Sequence, residues 1–115
     1  MEAGLVVVAL LLVVAAAVDI VVVHLAGVGR IARTSPIGIR ARATLASDET
    51  WRSAHRAATP VTWLTGAIAV IAALAALGFA AGGASTEATV LVVFGAIVLA
   101  VGIALAVWRG IASVR

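Results

Sequence analysis

The chain has 115 residues, of which 64% are hydrophobic and 11% are charged, and its mean hydropathy is +1.25. Soluble domains are usually about 45–50% apolar, so this composition excludes an ordinary soluble domain and indicates an integral membrane protein. The sequence contains no cysteine, which excludes disulfides, thiolate metal sites and thiol catalysis. The net charge of +3 indicates contact with anionic lipid headgroups, and nucleic acid is not an expected partner.

The first apolar segment runs from about Gly4 to Ala26 and reaches the roughly 20 residues that a helix needs to cross a bilayer. It is apolar on all sides, whereas a membrane β-strand alternates apolar and polar residues. A cleaved signal peptide is a weaker interpretation, because Glu2 is the only charge before the segment and a basic region is missing. We therefore predict a retained transmembrane helix.

Two polar side chains lie within this first segment. A carboxylate in hydrocarbon costs on the order of 2.5–3.5 kcal/mol, so Asp19 should be paired, protonated or facing a wet cavity. Two interpretations stay open: Asp19 couples protons or binds a ligand, or it reaches Arg40, Arg56 or His24 for structural reasons. His24 itself is nearer to the membrane interface and is expected to be a boundary residue.

Residues 27–60 form a long loop between the first and second apolar segments. Four residues in its first part break helices and favour turns or extended chain. They are Gly27, Gly29, Pro36 and Gly38. Gly38 in particular permits a tight turn that would bring Arg40 close to the residues around Ser47.

The second part of the loop carries the signals of a helix start. Ser47 is a suitable N-cap, and the two acidic residues after it suit the positive first turn of a helix. We predict a short helix over about 48–58 that lies along the membrane surface. Thr59 and Pro60 are then interpreted as the N-cap and first residue of a separate transmembrane helix.

The side chains of this predicted surface helix divide between two faces. Trp51 and His55 share a face that is expected to enter the headgroup layer, and Glu49 and Arg56 lie on another face toward lipid phosphates or water. We expect Glu49 to accept a bidentate contact from Arg40, and Arg56 to pair with Glu49 or a phosphate. These residues are expected to converge into one compact unit at the membrane interface.

Two further apolar segments follow, over about 61–81 and 88–108, so an all-α fold with three transmembrane helices is predicted as a single domain. Small residues recur every fourth position on both helices and permit close backbone approach. They are Ala72, Ala76 and Ala80 on one helix, and Gly102, Ala106 and Gly110 on the other. Because three helices enclose little volume, a homo-oligomer is also expected.

The distribution of arginine predicts the orientation. All eight basic residues are arginines; six lie in the 27–60 loop, and Arg109 and Arg115 follow the third segment. Because arginine-rich short segments stay in the cytoplasm, the loop and the C-terminus are predicted inside, and the N-terminus and the Gly82–Glu87 turn outside. The bacterial inner membrane is the expected location.

The loop also carries a family resemblance. The run GRIARTSPIGIRARATLASDETWRSAHRAA, residues 29–58, resembles the SdpI family of bacterial membrane proteins, named for an immunity protein against a secreted antimicrobial protein toxin. Members typically show Gly-[Lys/Arg]-Ile, then Gly-Ile-Arg, then Ser-x-Glu-x-x-Trp or a near variant, and then His-Arg. The matching residues here are Gly29, Arg30, Ile31, Gly38, Ile39, Arg40, Ser47, Glu49, Trp51, His55 and Arg56.

The resemblance implies protection against a membrane-acting toxin, or envelope-stress signalling in which a cytoplasmic repressor is held at the membrane. The motif residues expected to bind such a partner are Gly38, Arg40, Ser47, Glu49, Trp51, His55 and Arg56. No GxSxG or HExxH pattern is present, so catalytic residues, metal ligands and cofactors are not expected. The alternatives are a small proton-coupled transporter or lipid-phosphate-handling protein that uses Asp19 and the loop arginines, and an accessory subunit of a larger complex.

Overall fold

The computed structural model describes residues 2–115 and contains three long helices. They are α1 (Ala3–Gly27), α2 (Asp48–Ala81) and α3 (Ser85–Val114). Each is long and apolar enough to cross a membrane, and the described residues form no strand. This result confirms the predicted all-α architecture with three membrane-spanning helices.

α2 is one continuous helix, so the predicted division into a surface helix and a separate membrane helix is wrong. Pro60 lies inside α2. The sequence favours a helix start at this residue, because proline lacks a backbone donor and usually interrupts a helix. The turns before it are packed inside the molecule: Ala54 and Ala58 have no exposed surface. The Thr59 hydroxyl also donates to the carbonyl oxygen of His55 at 2.6 Å. This burial holds the helix together through the proline.

The molecule measures 51 × 21 × 18 Å. Since the hydrocarbon core of a bilayer is about 30 Å thick, the long axis is more than long enough to cross it. The 34-residue α2 accounts for this length, because a helix rises about 1.5 Å per residue. The excess length leaves the beginning of α2, together with the loop that precedes it, beyond the apolar part of the bundle.

The interior of the bundle consists mainly of small residues, and many large aliphatic side chains face outward. α2 packs most extensively against α3, then against α1, whereas α1 and α3 contact each other least. A side chain at Gly102 would overlap Thr65, and one at Gly95 would meet Leu12 and Ala72. In contrast, Ile71 is 67% exposed. The prediction that small residues seat α2 against α3 is confirmed, as membrane helix packing requires.

Candidate functional site

The predicted motif residues lie in one structural unit, here named the loop cap: residues 28–47 together with the first three turns of α2. Ser47 begins α2 as predicted, and its side-chain oxygen accepts a hydrogen bond from the Thr50 backbone N–H at 3.1 Å. The Thr50 hydroxyl in turn accepts from the Ser47 N–H at 3.0 Å. Sequence reasoning missed Thr50, because the reciprocal cap usually has glutamate or glutamine at that position.

Gly38 forms the tight turn that was predicted, and it does so directly against α2. Its φ of +111° lies in a region that residues with a side chain rarely adopt. A Cβ atom at this position would lie 2.6 Å from Cη2 of Trp51 and 3.0 Å from Nε2 of His55. Both the backbone conformation and the lack of space therefore require glycine here.

His55 is fully buried, and both of its ring nitrogens are engaged within the loop cap. The backbone N–H of Ile39 donates to Nε2 at 2.9 Å, so Nε2 carries no proton. We therefore assign the proton to Nδ1, which donates to the Trp51 carbonyl oxygen at 2.7 Å. A neutral imidazole thus joins the Gly38 turn to α2, and its protonation at Nε2 would remove the acceptor for Ile39.

Trp51 is also buried, with only 1% of its surface exposed. Its ring lies 4.3 Å from that of His55, centroid to centroid, and its Nε1–H donates to the Ile31 carbonyl oxygen at 2.8 Å. The prediction that this face enters the lipid headgroup layer is wrong. The loop folds over the Trp51 and His55 side of α2 instead. There it covers the Trp51 ring and supplies an acceptor for the indole N–H, which a buried tryptophan usually needs.

Ile39 and Thr44 attach the rest of the loop to the bundle. The Ile39 side chain is buried in a cluster with Val23 of α1, Ala58 of α2 and Ala106 of α3. Its carbonyl oxygen accepts from the Thr44 hydroxyl at 2.7 Å, and Thr44 is fully buried. Thr44 was missed from the sequence, because a lone threonine in a loop carries no specific signal before the fold is known.

The structure does not form the expected contact between Arg40 and Glu49. The Arg40 guanidinium donates instead to the carbonyl oxygens of Arg33 and Ser35, within its own turn. The turn satisfies this guanidinium locally, so Arg40 does not reach α2. Glu49 is on the outer face of the first turn of α2.

Glu49 takes its partners from α2 itself. Arg56 lies 3.2 Å from it, as predicted, and Arg52 lies 3.3 Å away. The hydroxyl of Ser53 donates to Glu49 at 3.0 Å. Glu49 is outside the apolar part of α2, and the hydrogen bond from Ser53, followed by that from Arg52, holds the pKa of its carboxyl below the usual value. This face of the loop cap is a solvated ion-pair network.

A second exposed ion pair closes the loop from the other side. Arg33 Nε lies 2.8 Å from Asp48 Oδ1, and Arg33 also donates to the Leu45 carbonyl oxygen at 3.3 Å. This pair was not predicted, although a carboxylate in the first turn of α2 beside an arginine-rich loop offers a signal for it. Exposed pairs of this kind contribute little stability, so the pair mainly orients the loop.

The two polar residues of α1 lie outside the loop cap. His24 lies on the exposed side of α1, where Trp63 Nε1–H donates to its Nδ1 at 3.4 Å and the two rings meet edge to face. Asp19 reaches none of its expected partners: Oδ2 is buried and has no hydrogen-bond partner in the described part of the chain. Asp19 instead lines a groove between α1 and α3.

The polar side chains of the loop cap find most of their partners within the fold. The His55 ring is fully engaged within the fold, and the charged side chains of Arg56 and Glu49 satisfy one another at the surface. Residues 2–115 contain no group of three histidine or acidic side chains placed to hold a metal ion. The loop cap is therefore a hydrogen-bonded unit at one end of the bundle.

One comparison with known proteins gives a match, which is to a protein-family model. No curated protein and no solved structure matches the chain. A model described as the SdpI/YfhL protein family matches residues 30–108, which include most of the loop cap and the apolar parts of α2 and α3. The match covers well over half of the 115 residues, and it begins in the same motif loop that folds over Trp51 and His55. The chain belongs to the SdpI/YfhL protein family.

Proposed function

We propose that this protein protects a bacterial inner membrane against a membrane-acting antimicrobial toxin, and that it acts by binding and not by catalysis. Its family membership and three membrane-spanning helices support a membrane protein of this kind. The observation that carries the proposal is the packing of the Gly38 turn directly against the buried side chains of Trp51 and His55. Motif residues that hold the loop against α2 favour a role in shaping the surface that a partner would meet.

The state of His55 favours binding over catalysis. A general base needs a free lone pair directed at the substrate, whereas the Nε2 lone pair of His55 accepts the Ile39 N–H in a fully buried position. The SdpI family is also not a known enzyme family. The toxin, or a cytoplasmic regulator that responds to it, would therefore meet the outside of the loop cap and the helices beside it.

A challenge experiment tests this proposal. Sensitive bacteria expressing the wild-type chain, Gly38→Ala or Gly78→Ala at equal membrane levels are exposed to a secreted, membrane-acting antimicrobial protein. Membrane depolarisation and survival are then measured. We expect protection by the wild type and by Gly78→Ala, whose added methyl group meets nothing within 4 Å, and loss of protection by Gly38→Ala. Equal killing with and without the wild-type chain would contradict the proposal.

The proposal includes an orientation with the loop cap in the cytoplasm. It is supported by the six arginines of the loop cap and by the absence of basic residues from the 82–87 turn. A reporter enzyme that is active only in the periplasm should be inactive when fused after Arg115 and active when inserted in the 82–87 turn. The opposite pattern would place the loop cap outside the cell.

A further inference from the structure

A groove opens between α1 and α3, the two helices that contact each other least. Its volume of about 540 Å³ falls within the roughly 300–1,000 Å³ typical of sites for small organic ligands. Aliphatic side chains of α1 and α3 form its walls, and the turn over residues 36–39 of the loop cap contributes to its lining. The groove therefore joins the apolar part of the bundle to the motif turn.

Asp19 is the only charged residue that lines this groove. Its Oδ2 atom is buried without a hydrogen-bond partner, and the three ion pairs within residues 2–115 all lie in the loop cap. An unpaired polar group in a membrane segment is costly and usually faces a cavity or a partner. A cation bound in the groove beside Asp19 would offset the cost of its unpaired carboxylate.

We propose that the groove binds an amphiphilic organic cation, with one ammonium or guanidinium group at Asp19 and an apolar body along the aliphatic walls. The single carboxylate selects a positive charge, and the walls formed by residues such as Val18 and Ile103 select an apolar body. The volume suits a small organic molecule. This binding site goes beyond the proposed protection against a toxin, which does not require it.

A matched pair of fluorescent probes tests the charge preference. The full chain is placed in nanodiscs of zwitterionic phosphatidylcholine and titrated with 1-pyrenemethylammonium or with 1-pyrenemethanol, and energy transfer from tryptophan is recorded. Empty nanodiscs measure the partition of each probe into lipid. A charge-assisted contact predicts roughly 10- to 100-fold tighter, saturable binding of the ammonium probe. Equal binding of the two probes would overturn the proposal.

Variants of α1 separate the carboxylate from the groove. Asp19→Asn should abolish the preference for the ammonium probe, and Asp19→Glu should retain it. Ala15→Leu narrows the groove and should weaken binding of both probes. Ala17 is an exposed residue of α1 that does not line the groove, so Ala17→Leu should leave binding of both probes unchanged. Circular dichroism verifies that each variant keeps its helices. A retained ammonium preference in a folded Asp19→Asn variant would overturn the proposal.

A second copy of the chain is the competing occupant. Because the sequence has no cysteine, Ala15→Cys introduces a single thiol at the groove. We expect no disulfide-linked dimer when this variant is oxidised in nanodiscs, and protection of the thiol from maleimide by the ammonium probe. Efficient cross-linking between two copies, with no effect of the probe, would show that the chain itself covers the groove and would overturn the proposal.

Discussion

The loop cap and the interior of the bundle are both well packed, yet they are built from opposite kinds of residues. The loop cap buries two large side chains, Trp51 and His55, and gives a hydrogen-bond partner to each ring nitrogen. The bundle buries mainly alanine and glycine, and Gly95 and Gly102 bring the helix backbones close together. Buried polar contacts are concentrated at one end of the molecule.

The difference reflects the two solvents that surround the chain. At the water-exposed end, covering a large aromatic ring removes apolar surface from water and stabilises the fold. Within lipid that gain is lost, because the tails are as apolar as leucine, and close van der Waals packing takes its place. A substitution in the loop cap should therefore change stability by removing hydrogen bonds or the packing of an aromatic ring. A substitution in the bundle should change stability by altering the distance between helix backbones.

The largest effect is expected for Gly38→Ala, which disrupts the loop cap. The change places a side chain at φ +111° and in collision with Trp51, so we expect a loss of about 2–6 kcal/mol from strain and overpacking together. The free energy of unfolding is measured by circular dichroism in mixed micelles. Gly78→Ala is the matched control, and it should be neutral or gain about 0.5–1 kcal/mol. Equal stability of the two variants would contradict the described turn.

The second effect concerns the histidine that joins the turn to α2. His55→Ala should cost about 2–4 kcal/mol, because it leaves the Ile39 N–H without an acceptor and opens a cavity beside Trp51. Trp51 emission, recorded with Trp63 and Trp108 replaced by phenylalanine, should shift to the red as water enters. His55→Gln, which can keep an acceptor for Ile39, should lose less stability than His55→Ala. An unchanged emission spectrum in His55→Ala would argue against a buried Trp51.

A smaller effect is expected in the bundle interior. Gly102→Ala should cost about 1–3 kcal/mol, because its Cβ would overlap the Thr65 side chain and push α2 away from α3. Adding Thr65→Ala removes the overlapping hydroxyl and methyl groups but keeps the Cβ atom of residue 65, so the double variant should recover part of the loss. A double-mutant cycle on unfolding free energies measures this coupling. Additive losses would show that the two residues do not meet.

The smallest effect is the coupling between Arg40 and Glu49, two charged residues that do not contact each other in the structure. Arg40 donates within its own turn, and Glu49 is paired with arginines of α2, so Arg40→Ala and Glu49→Ala should act independently. The unfolding midpoints of the two single variants and the double variant test this additivity. A strong coupling would restore the Arg40–Glu49 contact that the sequence suggested.

Local signals in the sequence were sufficient to predict several features. Apolar length alone indicated three membrane helices, because every span needs roughly 20 apolar residues whatever its neighbours are. Ser47 was identifiable as a helix start and Gly38 as a turn, because N-cap chemistry and backbone freedom are properties of single residues. The shared face of Trp51 and His55 followed from helical spacing.

Other features depended on the tertiary structure. The position of Pro60 within a helix depends on the burial of the turns before it. The surface that covers Trp51 depends on where the loop folds. The partners of Arg40 and the isolation of Asp19 likewise depend on distances across the fold. Sequence spacing determines which side chains share a helix face, but only the packed chain determines what lies opposite that face.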